Sequence, residues 1–344
     1  MQPNDPTRQS IDPRRVIESE GVEGLAALLT GVGYVPQRRV LTDLKHSLRS
    51  GKPLLIEGPR GGGKTELAEA LARGCNLTQF YLQGTEELTL ADVLYSWDRD
   101  EQRELVREEL KSGTPRAERQ SKKYSREFLI LGEALGAFDY ASREEVPPVL
   151  IIDEADKLTE EIEDMLLQLL GRGWASVPRV KGIIGVTDTS KWPVVILLSN
   201  NIRHELSAPL RSRCIYNWLE PPTKLEEICI LRSQVPDADP RLLAQVAKVI
   251  NHIRRDMPQV RDKPGLRESI DLMKILVADG VEEMTAEVVG EYLGFLGKKP
   301  KELASLGQGV ARLEWAARQH DEEIDVQVSR LFGDGEDDTL EAAA

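Results

Sequence analysis

The sequence predicts an α/β fold, a parallel sheet with helices on both faces, followed by a separate helical part. Three observations carry this. Short apolar runs at Leu54–Ile56, Gln79–Leu82, Val149–Ile152 and Val194–Leu198 recur among helix-forming stretches, as βα units of a buried parallel sheet do. Helix formers dominate, while aromatic residues make up only 5% of the chain. The composition changes at Glu220-Pro221-Pro222. Beyond it, helical stretches alternate with breaks near 236–239, 256–265, 279–284 and 297–300, a bundle of four or five helices. At 344 residues the chain can hold an α/β domain and a smaller companion.

Residues 1–21 read as a flexible, proline-bearing arm, and 22–31 as a short helix. Gly33-Tyr34-Val35-Pro36 precedes a helical run from Gln37 to Ser50. The Tyr34-Val35 pair either lines an adenine pocket or simply packs. Leu54-Leu55-Ile56 then leads into Gly58-Pro59-Arg60-Gly61-Gly62-Gly63-Lys64-Thr65, a loop of the form GxxxxGK[ST]. Helix formers from Thr65 and Glu66 onward end at Gly74, so strand, glycine loop and helix follow in the order a phosphate-binding loop needs. Glycines let backbone N–H groups converge on a phosphate, and the helix N-terminus adds partial positive charge. Lys64 brings a cation to the β- and γ-phosphates, and the Thr65 hydroxyl can ligate Mg²⁺. The nucleotide-binding set expected here is Gly58, Pro59, Arg60, Gly61, Gly62, Gly63, Lys64, Thr65 and Glu66, with Val35 at the base.

A second motif follows downstream. Val149-Leu150-Ile151-Ile152 ends in Asp153-Glu154, an apolar strand whose C-terminal edge carries paired carboxylates. Asp153 is expected to hold Mg²⁺, and Glu154 to polarise the attacking water. Such a strand end alone says little; after a phosphate loop it is specific.

Between these motifs, Thr85 to Trp97 mixes helical and extended features. Residues 98–126 hold sixteen charged residues, with Gly113 and Pro115 as breakers, and read as a surface insertion. Phe128 to Tyr140 is expected to be a helix. Thr159 is expected to cap another, with Glu160, Glu161 and Glu163 in its first turn, a buried stripe at Met165, Leu166, Leu169 and Leu170, and its end at Gly171. Trp174 to Val186 reads as a β-hairpin, and the strand Val194–Leu198 closes on Ser199-Asn200-Asn201.

Composition also excludes. No run of 18 uncharged apolar residues exists, and the N-terminus lacks a signal peptide's apolar core, so a cytoplasmic location without membrane contact is expected. Cys75, Cys214 and Cys229 lack metal-ligand spacing and read as reduced thiols. Net charge is −13, and residues 321–344, with nine carboxylates and one arginine, supply −8 of it. Such a balance disfavours non-specific nucleic-acid binding, which rests on phosphate neutralisation by Lys and Arg.

Together the phosphate loop, Ile151-Ile152-Asp153-Glu154, the strand ending at Asn200 and Leu210-Arg211-Ser212-Arg213-Cys214 resemble an AAA+ ATPase over roughly residues 24–300. The insertion near 85–97 and the hairpin before the Asn200 strand resemble the MoxR family, and within it the CoxD-like branch. The resemblance implies an AAA+ P-loop parallel sheet plus a C-terminal α-helical lid. Its parts would be an N-terminal arm 1–21, a core 22–220 with an insertion at 85–126 and a hairpin at 174–187, a lid 221–300, and a C-terminal helix and acidic tail 301–344.

The same resemblance implies a Mg²⁺-dependent ATPase in a hexameric ring. It also implies a remodelled protein partner, one carrying a von Willebrand factor A domain. Asn200 would help place the attacking water, with Asn201 as the near alternative and a strand-end cap as the plainer reading. Arg213 would be the arginine finger inserted into a neighbouring subunit's site, since a guanidinium stays charged and bonds two phosphate oxygens. Arg211 competes for that role, and a surface salt bridge is the plainer reading of Arg213. Arg267, after Lys263-Pro264-Gly265-Leu266, would be the lid arginine that senses the γ-phosphate.

Ser212-Arg213-Cys214 also resembles clamp-loader subunits, which usually add a helical collar after the lid; the short, acidic stretch after Pro300 disfavours that reading, and a clamp-loader-like ATPase stays an alternative. Readings from other classes are a nucleic-acid motor and a slow nucleotide-gated scaffold. Stimulation of hydrolysis by a protein, by DNA or by neither separates the three.

Overall fold

The computed structural model describes every residue except 1–3, 201, 202, 323, 325, 327 and 329–344. The chain divides into two compact units, each drawn from separate stretches of sequence. The first holds residues 1–22, 42–57 and 71–217, and the second 23–41, 58–70 and 218–344.

The strands among the described residues are β1 (Leu54–Glu57), β2 (Gln79–Gln83), β3 (Tyr95–Trp97), β4 (Leu129–Leu131), β5 (Val149–Asp153), β6 (Trp174–Ala175), β7 (Ile184–Gly185), β8 (Val194–Ser199) and β9 (Ile215–Trp218). Five of them form one sheet in the order β2-β5-β8-β1-β9. The pairs β2/β5, β5/β8 and β8/β1 are parallel, as the βα pattern requires. Every residue of β1 and β8 is buried, which explains why these strands read as continuous apolar runs rather than alternating ones. Helices Glu133–Ala141 and Glu160–Arg172 lay Leu135, Phe138, Leu166 and Leu169 into a core with Leu150, Ile152 and Leu197. Full burial of each such side chain contributes about 1.5–3 kcal/mol.

Register sets the working edge. Gln83 pairs with Asp153, Ile152 with Leu197, and Ser199 with Glu57. The C-terminal ends of β2, β5, β8 and β1 therefore lie along one side of the sheet.

Several expectations need correction. A flexible arm does not describe residues 4–21. Asp12 caps a helix, Pro13–Ser19, with Val16 and Ile17 buried. The Asn76 side chain accepts from the Asp5 amide at 2.8 Å and donates to the carbonyls of Asp5 and Arg8 at 2.9 and 2.6 Å. A distant amide side chain thus ties down a polar segment that has little apolar pattern of its own.

The helix expected from Phe128 begins only at Glu133, because Leu129–Leu131 pairs antiparallel with Tyr95–Trp97. The turn between needs Gly132, where a Cβ would lie 2.5 Å from the Asp92 carbonyl oxygen. The helix capped by Thr159 runs past Gly171 to Arg172, and Gly173 closes it at φ 76°. In the hairpin, Val177 and Val180 belong to the loop, and only Trp174–Ala175 and Ile184–Gly185 pair. The charged insertion folds as two helices, Arg99–Lys111 and Arg116–Lys123, broken where Gly113 and Pro115 stand.

In the second unit the helices Lys224–Gln234, Pro240–Asp256, Leu266–Ala278, Ala286–Glu291, Leu293–Leu296, Pro300–Gln308 and Val310–Arg318 follow one another. Leu242, Ile250, Leu272, Leu276, Leu306 and Leu313 share one core, so the last two helices pack with the bundle rather than beyond it. Most of the acidic tail lies outside the described residues.

Candidate functional site

In the second unit the chain leaves β1 at Gly58 and enters the phosphate loop. A Cβ at Gly58 would lie 2.6 Å from the Leu219 carbonyl oxygen, so the position requires glycine. Gly61 and Gly63 take φ of 68° and 85°, left-handed values that turn the loop back on itself ahead of helix Lys64–Gly74. The Lys64 ammonium, 6% exposed, sits inside this turn and donates to the carbonyls of Gly58 at 2.9 Å and Pro59 at 2.8 Å. Pro59, Arg60 and Glu66 are exposed, while Gly62 and Thr65 are half-buried. The result is a cation ringed by backbone at a helix N-terminus, which is anion-binding chemistry.

The loop is joined to the start of the Arg267 helix. Leu266 N–H donates to the Gly61 carbonyl at 2.8 Å, and a Cβ on Gly61 would lie 3.3 Å from Gly265 Cα. Arg267 is exposed in the first turn of that helix.

What fixes the start of this helix was not legible in the sequence. Glu227, fully buried, takes a bidentate pair from Arg254 at 2.8 and 3.0 Å and a bond from the Ser269 hydroxyl at 2.6 Å. Arg254 Nε also donates to the Pro264 carbonyl at 2.7 Å. Removing one member of such a buried pair costs about 3–5 kcal/mol. Tyr34 is buried, and burial together with Glu66 and Glu226 pushes its hydroxyl pKa up. Val35 packs against Ile228, Cys229 and Ala247, which favours the plain packing reading for that residue.

In the first unit the carboxylate edge is built at the end of β5. Asp153 Oδ2 accepts from the Tyr81 hydroxyl at 2.8 Å, and its Oδ1 accepts from the Glu154 amide at 2.7 Å. Glu154 adopts φ 50° and ψ 44°, a left-handed conformation disfavoured for a non-glycine residue and frequent at functional sites. Its Oε2 accepts from both Gln83 Nε2 and Lys157 Nζ. Gly84 makes room for this turn, since a Cβ there would lie 2.3 Å from the Glu154 carbonyl oxygen. Tyr81, Gln83 and Lys157 were missed from sequence. The available signal was Tyr81 and Gln83 two apart at a strand's C-terminal end, hence on one face beside the carboxylates.

On the neighbouring strand the Asn200 amide donates to Asp156 Oδ1 at 3.1 Å, which fixes the backbone at the end of β8. Asn201 lies outside the described residues. The helix Ala208–Arg213 carries both finger candidates. Glu163, read above only as a complement to the helix dipole, is buried. It accepts from the Ser207 amide at 2.8 Å and contacts His204 Nε2 at 3.2 Å, so it anchors the segment that enters this helix. Arg213 Nη1 donates to the Leu167 carbonyl at 2.8 Å, beside Gly171. Arg211 pairs with Glu205 at 2.9 Å and lies 5.6 Å from the Tyr216 ring centroid.

No helix among the described residues is long and apolar enough to cross a membrane. Residues 53–214 match the AAA domain of the dynein-related subfamily. A relative by sequence is the gas vesicle ATPase GvpN of Haloferax mediterranei, 22% identical over 269 residues, which span 74% of this chain and 73% of that protein. Solved structures of Thermotoga maritima RuvB also align. The Holliday junction branch migration motor is 18% identical with a TM-score of 0.43, and a mutant form of RuvB from the same organism is 18% identical with a TM-score of 0.45. Each alignment covers 78% of this chain and 72% of the other.

Proposed function

We propose that this protein is a MoxR-type AAA+ ATPase, of the CoxD-like branch, that hydrolyses ATP in a hexameric ring and thereby remodels or activates a partner protein. The observation that carries the reading is Glu154, held in a disfavoured backbone conformation at the end of a parallel strand with Gln83 and Lys157 on one carboxylate oxygen. Strain of this kind persists where the surrounding structure imposes it. The relative from Haloferax mediterranei is an ATPase, which supports hydrolysis.

In this reading the loop Gly58–Thr65 binds the phosphates, and Lys64 neutralises charge on the β- and γ-oxygens. Glu154 polarises the attacking water and Asn200 orients it. Arg213 acts in trans on a neighbour's nucleotide, with Arg211 as its competitor. Arg267 senses the γ-phosphate, which the bond from Leu266 to Gly61 supports. The Thr65 hydroxyl and the Asp153 carboxylate are hard oxygen donors of the kind Mg²⁺ takes, and the ion would screen phosphate charge. Residues 221–300 serve as the lid. The partner carries a von Willebrand factor A domain, and the work is done in the cytoplasm.

The test is capture of partners by Glu154→Gln in the presence of ATP, identified by mass spectrometry and compared with Lys64→Ala. The reading expects a protein bound by the first variant and not the second, and expects that protein to stimulate wild-type hydrolysis. A captured protein that leaves hydrolysis unchanged contradicts it.

A further inference from the structure

Charge in this chain runs against its average in one place. The protein carries −13 overall. Yet the helix Arg116–Lys123 holds Arg116, Arg119, Lys122 and Lys123 against Glu118 alone. The hairpin loop 176–183 adds Arg179 and Lys181 and no acid. Six cations against one carboxylate give these two segments +5, which leaves −18 for the remainder.

The two segments meet in the first unit, although more than fifty residues separate them. The Arg179 guanidinium lies 4.3 Å from the Tyr124 ring centroid, and its Nη1 donates to Gln120 Oε1 at 3.4 Å. Arg116 stands one turn before Gln120, so it lies on the helix face that meets the loop. Lys123 Nζ lies 5.4 Å from the same Tyr124 ring, and Trp97 meets that ring edge-on with centroids 5.2 Å apart.

Stability alone does not call for this arrangement. Clustered like charges repel, and Arg179 is held at φ 72°, a left-handed value disfavoured for a residue with a side chain. Lys122 has acid partners, Glu109 at 2.9 Å and Glu118 at 3.3 Å. The Arg116 and Lys181 side chains are exposed and make no hydrogen bond or ion pair with any described residue. At the end of the loop, directly before β7, Ile183 is 43% exposed. Unpaired cations and a strained loop where the two segments meet, with an exposed isoleucine at the end of that loop, are the marks of a surface kept for a partner.

We propose that the face formed by helix Arg116–Lys123 and loop 176–183 docks an acidic segment of a protein partner, with Ile183 receiving an apolar side chain of that segment. A protein segment fits better than nucleic acid. The Tyr124 ring is already engaged by Arg179, Lys123 and Trp97, so it offers no open face for a base to stack on. The inference deepens the remodelling reading by naming the partner's chemistry, and rests on it for why a partner is bound.

The probe is a fluorescein-labelled peptide of repeated Glu-Glu-Leu, titrated with the full chain at low and high salt and followed by anisotropy. A labelled single-stranded DNA oligonucleotide of equal charge serves for comparison. Binding should weaken with salt, and Arg116→Glu with Lys181→Glu should weaken it by about tenfold or more. Arg116→Gln with Lys181→Gln should fall between, and Ile183→Ser should weaken the peptide without changing its salt dependence. ATP hydrolysis without peptide should be unchanged in every variant, which reports an intact fold.

The proposal is overturned if the peptide does not bind, if the charge variants bind it as the wild type does, or if the oligonucleotide binds more tightly. Absence of ATP hydrolysis beside the expected peptide behaviour would remove the ATPase reading and leave the docking face standing.

Discussion

Gly84→Ala is a small change with a large expected effect on chemistry. Gly84 follows β2, and its amide donates to the Asp153 carbonyl at 2.7 Å. A Cβ there would stand 2.3 Å from the Glu154 carbonyl oxygen and 3.0 Å from that of Asp153. Real Cβ contacts stay beyond 3.0 Å, so the Glu154 backbone must retreat by about 0.7 Å, the difference between those distances. The atoms in the way are backbone, and no side-chain rotation relieves them.

Glu154 is already held at φ 50°, and its carboxylate is placed by Gln83 and Lys157. A general base displaced by most of an ångström loses on the order of 10²-fold in rate. Overpacking of this kind destabilises by about 1–3 kcal/mol. Steady-state ATP hydrolysis gives the rate, calorimetry with a non-hydrolysable analogue gives binding, and denaturant unfolding gives stability. The expected result is a kcat lower by about 10²-fold with nucleotide affinity within a few-fold, because the phosphate loop is untouched. Unchanged kcat with unchanged stability would refute the reasoning from this glycine.

Two further predictions follow. Arg213→Ala should bind ATP and hydrolyse it poorly, and mixing it with Lys64→Ala should restore part of the activity, because some neighbours then pair an intact loop with an intact finger. No recovery in rings shown to exchange subunits argues against a trans role, and recovery with Arg211→Ala instead would exchange the two arginines. Burial pushes the Cys75 and Cys214 thiols up to about 12, so at pH 8 their thiolate fraction is about 10⁻⁴ and alkylation of the native protein should run about 10³-fold slower than that of free cysteine. Their folded pKa values exceed the unfolded one near 9, so the stability they contribute is whole below pH 9 and is lost as pH rises towards 12; rapid native alkylation at pH 8 would contradict this.

The placement of the glycine loop between β1 and its helix, and of Asp153-Glu154 at the end of β5, was legible because each is a pattern of residues adjacent in sequence. The parallel sheet was legible because strands buried on both faces read as unbroken apolar runs. What surrounds the carboxylates was not, because Tyr81 and Gln83 reach them only through the β2/β5 register. The Glu227–Arg254 pair joins two helices by a contact that no spacing rule reports. Leu129–Leu131 misled because a three-residue strand ahead of a helix shares the helix's apolar content, and its partner lies more than thirty residues earlier. In the hairpin, Ile184 is buried at 1% exposure, while its sequence neighbour Ile183 stands out at 43%. One residue of strand alternation separates a core position from a surface one.

The most direct measurement is single-turnover hydrolysis of ATP by Glu154→Gln beside the wild type and Lys64→Ala, with nucleotide binding measured on the same preparations. The account predicts that Glu154→Gln keeps ATP affinity and loses about 10²-fold or more in rate, while Lys64→Ala loses affinity itself. Hydrolysis by Glu154→Gln at near the wild-type rate would contradict the account.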